Sequence, residues 1–109
     1  MTTTRRIIAL ALATAALSTY GADPASNWKQ ACAKCHGQDG AGDTKMGHKL
    51  GIIDLTDAKA QAKFTDEDAF KAMKSGRKDA SGKITMKAIE GLSDDDMKAL
   101  VPYVRTLKK

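Results

Sequence analysis

Between residues 23 and 109 the apolar positions repeat at helical intervals in three stretches, and no run of four or more residues alternates convincingly. The clearest stretch is the last. Met97, Leu100, Val101, Val104 and Leu107 stand at i, i+3, i+4, i+7 and i+10, which predicts a helix over about 94–108 with one apolar face. Ser93 is its N-cap, Asp94 to Asp96 sit at its positive end, and Lys108 and Lys109 at its negative end. Pro102 lies inside it, where it removes one backbone hydrogen bond and should bend or weaken the helix. A second helix is predicted over about 66–75 from the stripe Ala69, Phe70 and Met73. Thr65 and Asp68 stand at capping-box spacing there, with Asp in place of the usual Glu, and Gly76 stops the helix. A third, over about 26–34, is capped by Ser26 or Asn27 and sets Trp28 and Ala31 on one face. Ala and Gln content suggests a short fourth helix near 57–63. The glycine-rich stretch 37–54 reads as loop, and so long a loop in so small a unit usually wraps around something. The pattern predicts an all-α unit.

Residues 1–22 follow a different pattern. Arg5 and Arg6 precede the eleven-residue run Ile7–Leu17 of Ile, Ala, Leu and one Thr, and small residues follow. This is the signature of a secretory signal peptide, with cleavage between residues 18 and 22. The run is well short of the roughly 20 residues that span a bilayer as a helix, so a stable membrane anchor is not expected. Export implies a periplasmic or secreted protein and leaves residues 23–109 as one domain. No internal repeat or linker divides it.

A domain of that size draws only roughly 3–5 kcal/mol of net stability from its apolar core, so an additional staple is expected. A Cys32–Cys35 disulfide would close too small a loop to serve. Over residues 23–109 there are 16 basic and 13 acidic residues, and no basic cluster interleaved with aromatics, so nucleic acid is not an expected partner.

Both cysteines and one of the two histidines fall in Cys32-Ala33-Lys34-Cys35-His36, a C-x-x-C-H motif. Three chemistries compete for it. A redox C-x-x-C normally opens a helix in a βαβ context, and no strands are predicted to build one. A zinc site can be assembled on paper from Cys32, Cys35, His36 and His48, but the second histidine of a finger at three to five residues further is missing. The third chemistry is haem c. At a helix end two thiols three positions apart share a face, so both can add to the vinyl groups of one porphyrin, and the adjacent histidine lies under the iron.

The other axial position separates an electron carrier from a gas sensor or a catalytic haem domain with an open sixth coordination site. A thioether ligand favours ferrous iron and raises the potential. Met73 and Met97 lie on apolar helix stripes, where they are expected to pack, and Met46 is only ten residues beyond His36. Met86 lies far along the chain, in an irregular segment just before the last helix, and is the expected ligand.

With these residues in hand, the chain over residues 26–109 resembles the class I cytochromes c of short, soluble bacterial type. Cys-x-x-Cys-His at 32–36 matches the attachment motif, Gly47-x-x-Leu50 matches the loop after it, and Met86 stands before a final Leu-Ser-Asp helix as the family's ligand methionine does. The resemblance implies a cytochrome c fold of three to four helices wrapped around one covalently attached haem, with the first and last helices crossing. It implies cofactor binding by Cys32, Cys35, His36 and Met86, with His36 and Met86 on the iron, and single-electron shuttling with no substrate turned over.

The chain departs from the family pattern at two positions. His48 stands where the family usually has proline, whose carbonyl accepts the proximal imidazole proton; a backbone carbonyl at His48 is expected to do the same. Lys87 stands where many members have a proline after the methionine. Trp28 is expected to pack near Tyr103, with an indole hydrogen bond to a haem propionate as the alternative. Leu50, Ile52, Leu55, Phe64, Phe70, Met73, Ile84, Leu100, Val101 and Val104 are expected to form the core and haem crevice. The expected partners are donor and acceptor redox proteins, which meet a monomer through Lys34, Lys45, Lys49, Lys83 and Lys87 around the haem edge.

Overall fold

The computed structural model describes residues 23–109, and the predicted signal peptide lies outside them. The elements run α1 (Pro24–Ala31), α2 (Ala33–His36), α3 (Lys45–Leu50), α4 (Ala58–Gln61), α5 (Asp66–Ser75), β1 (Arg77–Lys78), β2 (Ile84–Met86) and α6 (Asp94–Thr106). Helices dominate, as the apolar spacing predicts, although the described residues hold six of them and a small antiparallel ribbon. Two of the three long helices start where their caps direct. Thr65 and Asp68, and Ser93 and Asp96, each close a reciprocal capping box, worth about 1 kcal/mol per cap. Asp at the third helical position therefore takes the part more often played by Glu.

Three expectations are corrected. The first helix begins earlier, at Pro24, because Asp23 is the N-cap and its Oδ1 accepts from the Ser26 amide at 2.9 Å. The expected 37–54 loop contains α3, because Thr44 caps it through the Gly47 amide and Gly51, in the left-handed region, closes it. Residues 77–86 form the hairpin, whose strands of two and three residues are too short to show alternation. Pro102 does not break α6, which continues through it to Thr106 with the proline exposed.

α6 packs on both α1 and α5. The buried core consists of Trp28, Cys32, Leu55, Met73, Met97, Leu100, Val101 and Val104, with Phe64, Phe70 and Leu107 packed against it. Leu50 and Ile52 are only half-buried. Ile84 is the clear exception among the expected core residues, at 53% exposed. It sits on the β2 strand of the hairpin, with about half of its surface open to water.

Sequence patterning misses a polar clamp at the junction of α4, α5 and α6. Gln61 is 3% exposed and its Nε2 donates to the carbonyls of Leu55 and Val104, both at 2.7 Å. Arg105 donates to the carbonyls of Gln61 and Phe64 at 2.6 and 2.8 Å, to Gln61 Oε1, and to Asp66, while its guanidinium lies 4.4 Å from the Phe64 ring centroid. The Asp66 end is exposed and adds little, but the two carbonyls lose a charged donor when the guanidinium is removed. Arg105→Ala is expected to cost about 2–3 kcal/mol, and Arg105→Lys should recover less than half, because one ammonium does not span the fork. Denaturant midpoints of the two haem-loaded variants measure this.

Candidate functional site

The C-x-x-C-H motif straddles a break in the helix. Cys32 leaves helical geometry at φ −121°, ends α1 and begins α2, while the amide of His36 still donates to its carbonyl at 3.0 Å. Cys32 is buried and Cys35 half-buried, and the two thiols are not bonded to each other. Burial pushes the Cys32 thiol up to about 11, with Cys35 adding to the shift. A redox dithiol needs the opposite, an accessible thiol of lowered pKa.

α3 braces this motif from below. Thr44 Oγ1 accepts from the Gly47 amide at 2.8 Å and donates to the Cys35 carbonyl at 2.6 Å. At Gly47 a Cβ would collide with the backbone carbonyls of Gly42 and Cys35, so the two segments meet this closely only because the residue is glycine. Trp28 packs beside Tyr103 and His36, with ring centroids 5.7 and 5.6 Å away. Its indole N–H donates to the Gly37 carbonyl at 3.1 Å, which commits that donor to the chain and removes the propionate alternative.

In front of the motif lies a cavity of about 540 Å³, within the roughly 300–1,000 Å³ typical of cofactor sites. Cys32, His36 and Trp28 line one part of it, Ile53, Leu55 and Phe64 another, and Met73, Gly76 and Met86 a third. Met86 therefore shares this cavity with His36 across fifty residues of sequence. Two contacts fix the Met86 segment: Gly76, at φ +76°, lies against the Met86 carbonyl where a side chain would clash, and the Ile89 amide donates to the Met73 carbonyl at 2.8 Å. Met46 and Met97 do not line the cavity; Met97 is buried in the core, as its place on the α6 stripe predicts.

His36 carries the feature that bears most directly on a ligand. Its Nδ1 is, among the described residues, the buried side-chain polar atom without a hydrogen-bond partner, and burial lowers the pKa of the ring. The expected bond to the His48 carbonyl is not made. Residue 48 is helical rather than looped, so that carbonyl runs along α3 and accepts from the Gly51 amide at 3.4 Å. The His48 side chain is exposed and its Nε2 lies 2.7 Å from Asp43 Oδ1. Among the described residues no group of three or more His, Cys, Asp or Glu side chains gathers to hold a metal ion, which disposes of the four-ligand zinc arrangement.

The model of the family described as "Cytochrome c" matches residues 23–108. The chain belongs to the cytochrome c family. A solved structure described as "KustC0563 c-type cytochrome" is similar to it at 36% identity and a TM-score of 0.68, covering 81% of this chain and 100% of that one. A second solved structure, of a Kustc0563 point mutant, is similar at 35% identity and a TM-score of 0.65, covering 80% of this chain and 100% of that one. No curated protein matches.

A cytochrome c holds haem c with iron, covalently attached, and transfers electrons. The residues present fit that group: two unbridged thiols three positions apart, an imidazole with a buried and unpartnered nitrogen, and a largely apolar cavity that Cys32 and His36 both line. The cationic side chains lining this cytochrome's cavity are Lys63, Lys71 and Arg77, whereas Lys34, Lys45, Lys49, Lys83 and Lys87 are exposed and stand outside it. No described helix is long and apolar enough to cross a membrane.

Proposed function

We propose that this cytochrome c is an exported, soluble one-electron carrier that turns over no substrate. In this reading Cys32 and Cys35 would anchor the haem through thioether bonds, and His36 and Met86 would be the side chains that bind its iron. When bound, the haem would supply the one-electron redox chemistry. The chain's contribution is to hold an imidazole and a thioether ready and to keep water out. A thioether stabilises the ferrous state, and apolar walls such as Leu55, Phe64 and Val104 disfavour the more highly charged site.

The observation that carries the reading is the presence of Met86 and His36 in the walls of one cavity. Met73 lines it too, but is 5% exposed and embedded in the α5–α6 core, where leaving its packing to reach a ligand would open a hole. With His36 and Met86 both on the iron, no coordination position would be left for a substrate or a gas. The absorption spectrum of the purified holoprotein tests this. The ferric form should show the far-red charge-transfer band of sulfur ligation, and the ferrous form should bind no CO at neutral pH. Ready CO binding without that band would replace this reading with a gas sensor or a catalytic haem domain that has an open sixth site.

A further inference from the structure

His48 and the buried Nδ1 of His36 are two features beside the cavity that the carrier reading leaves unused. They are linked through α3. Thr44 Oγ1 donates to the Cys35 carbonyl, and a Cβ on Gly47 would lie 2.7 Å from that same carbonyl, so the backbone entering residue 48 rests against the C-x-x-C-H motif. A carbonyl so placed is a ready acceptor for the imidazole next to it. α3 turns it elsewhere.

The helix starts with a backbone bond that needs an amide at position 48: the His48 N–H donates to the Thr44 carbonyl at 2.9 Å. Once α3 has formed, its carbonyls run along the helix axis, and that of His48 accepts from the amide of Gly51, a residue at φ +63°. The His48 ring offers no substitute. It is exposed, and its Nε2 stands 2.7 Å from Asp43 Oδ1. The effect shows at His36, whose Nδ1 is enclosed without a partner among the described residues, although buried polar groups are paired almost without exception. Trp28, with its ring centroid 5.6 Å from the imidazole, has given its indole N–H to the Gly37 carbonyl and has no acceptor to offer. Packing, not a hydrogen bond, meets this side of the ring.

We propose that His48 is a positioning residue for the redox centre that acts through its backbone: by letting α3 form, it withholds a hydrogen-bond acceptor from the His36 imidazole and so raises the reduction potential. The proposal rests on the carrier reading, with His36 on the iron, and deepens it. A neutral imidazole that binds a metal through Nε2 keeps its proton on Nδ1, and an acceptor there makes the ring a stronger donor and favours the ferric state. Without the acceptor the ring is a weaker donor. The ferrous state gains, in the same direction as from a thioether at Met86.

Proton–nitrogen NMR of the ferrous holoprotein carrying labelled histidine tests the proposal. In the wild type the His36 Nδ1 proton should lie where an imidazole N–H without a hydrogen bond is found. His48→Pro removes the amide and sets its ring against the Thr44 carbonyl, so α3 should unwind at residue 48. The proton should then move downfield, and the ferrous-to-ferric ratio at a fixed poise should fall about tenfold, equivalent to about 59 mV for one electron. His48→Ala keeps the amide and should match the wild type in both readings. A wild-type proton already downfield overturns the proposal with no variant needed, which keeps it refutable even if His48→Pro fails to load haem. Equal shifts in the alanine and proline variants overturn it too, because the ring and not the backbone is then responsible, as does a loaded proline variant whose potential stays put. Failure of the carrier reading looks different: the wild-type ferric holoprotein then lacks the far-red band, whatever residue stands at position 48.

Discussion

A chain carrying both Cys32→Ser and Cys35→Ser is expected to hold no covalent haem and to lack a fixed tertiary structure. The attachment chemistry needs a thiol at each position, and a hydroxyl does not add to a vinyl group under the same conditions. The structural consequence follows from size. The cavity is about 540 Å³, and at about 24 cal/mol per Å³ an unfilled apolar cavity of that volume costs at most roughly 13 kcal/mol. Water entering its open side lowers that figure, but only a few kcal/mol from the core stands against it. Trp28, Leu55, Met73 and Val104 all line this space, so emptying it removes packing partners from half the buried core. The pyridine haemochrome assay on extracted protein, together with amide dispersion in a proton–nitrogen NMR spectrum, measures both effects. A well-dispersed spectrum from the double variant would show that the helices hold together without the staple.

Met86→Ala is expected to abolish the far-red ferric band, open the sixth position to CO, and lower the reduction potential by on the order of 0.2 V, a fraction of the ≈0.8 V range that axial ligands span. Removing the thioether withdraws the ligand that favours ferrous iron and lets water approach the metal, and both changes stabilise the ferric state. The neighbouring methionines make the prediction specific. Met46→Ala should leave band and potential unchanged, because Met46 stands away from the cavity. Met73→Ala should cost about 3 kcal/mol of stability from the buried α5 position while keeping the band. If Met73→Ala abolishes the band and Met86→Ala keeps it, the ligand assignment is reversed.

Residues that act through local chemistry were legible before folding was considered. The i, i+3, i+4 stripe of α6, the Thr65 and Ser93 caps, and the packing fate of Met97 all follow from short-range geometry, and the structure has them. What sequence reasoning misplaced depends on side-chain caps and turns, and in one case on a partner far along the chain. Ile84 looked like a core residue because its side chain is apolar, but the Asp79 turn carries it out on a hairpin. Gln61 is polar yet buried, since the Leu55 and Val104 carbonyls satisfy its amide. The His48 carbonyl looked free to reach His36 until Thr44 and Gly51 proved to cap a helix through it.

By itself the sequence determined the helical class, the chemistry of Cys32, Cys35 and His36, and the short list of methionines, because periodicity and a five-residue motif are properties of neighbours. Only the tertiary structure decided that Met73 and Met86, and neither Met46 nor Met97, line one cavity with His36, and that Gln61 and Arg105 clamp residues 55–66 to the last helix. Each of these is a long-range juxtaposition, made when burial of apolar faces draws α1, α5 and α6 into contact, and no spacing along the chain encodes it locally.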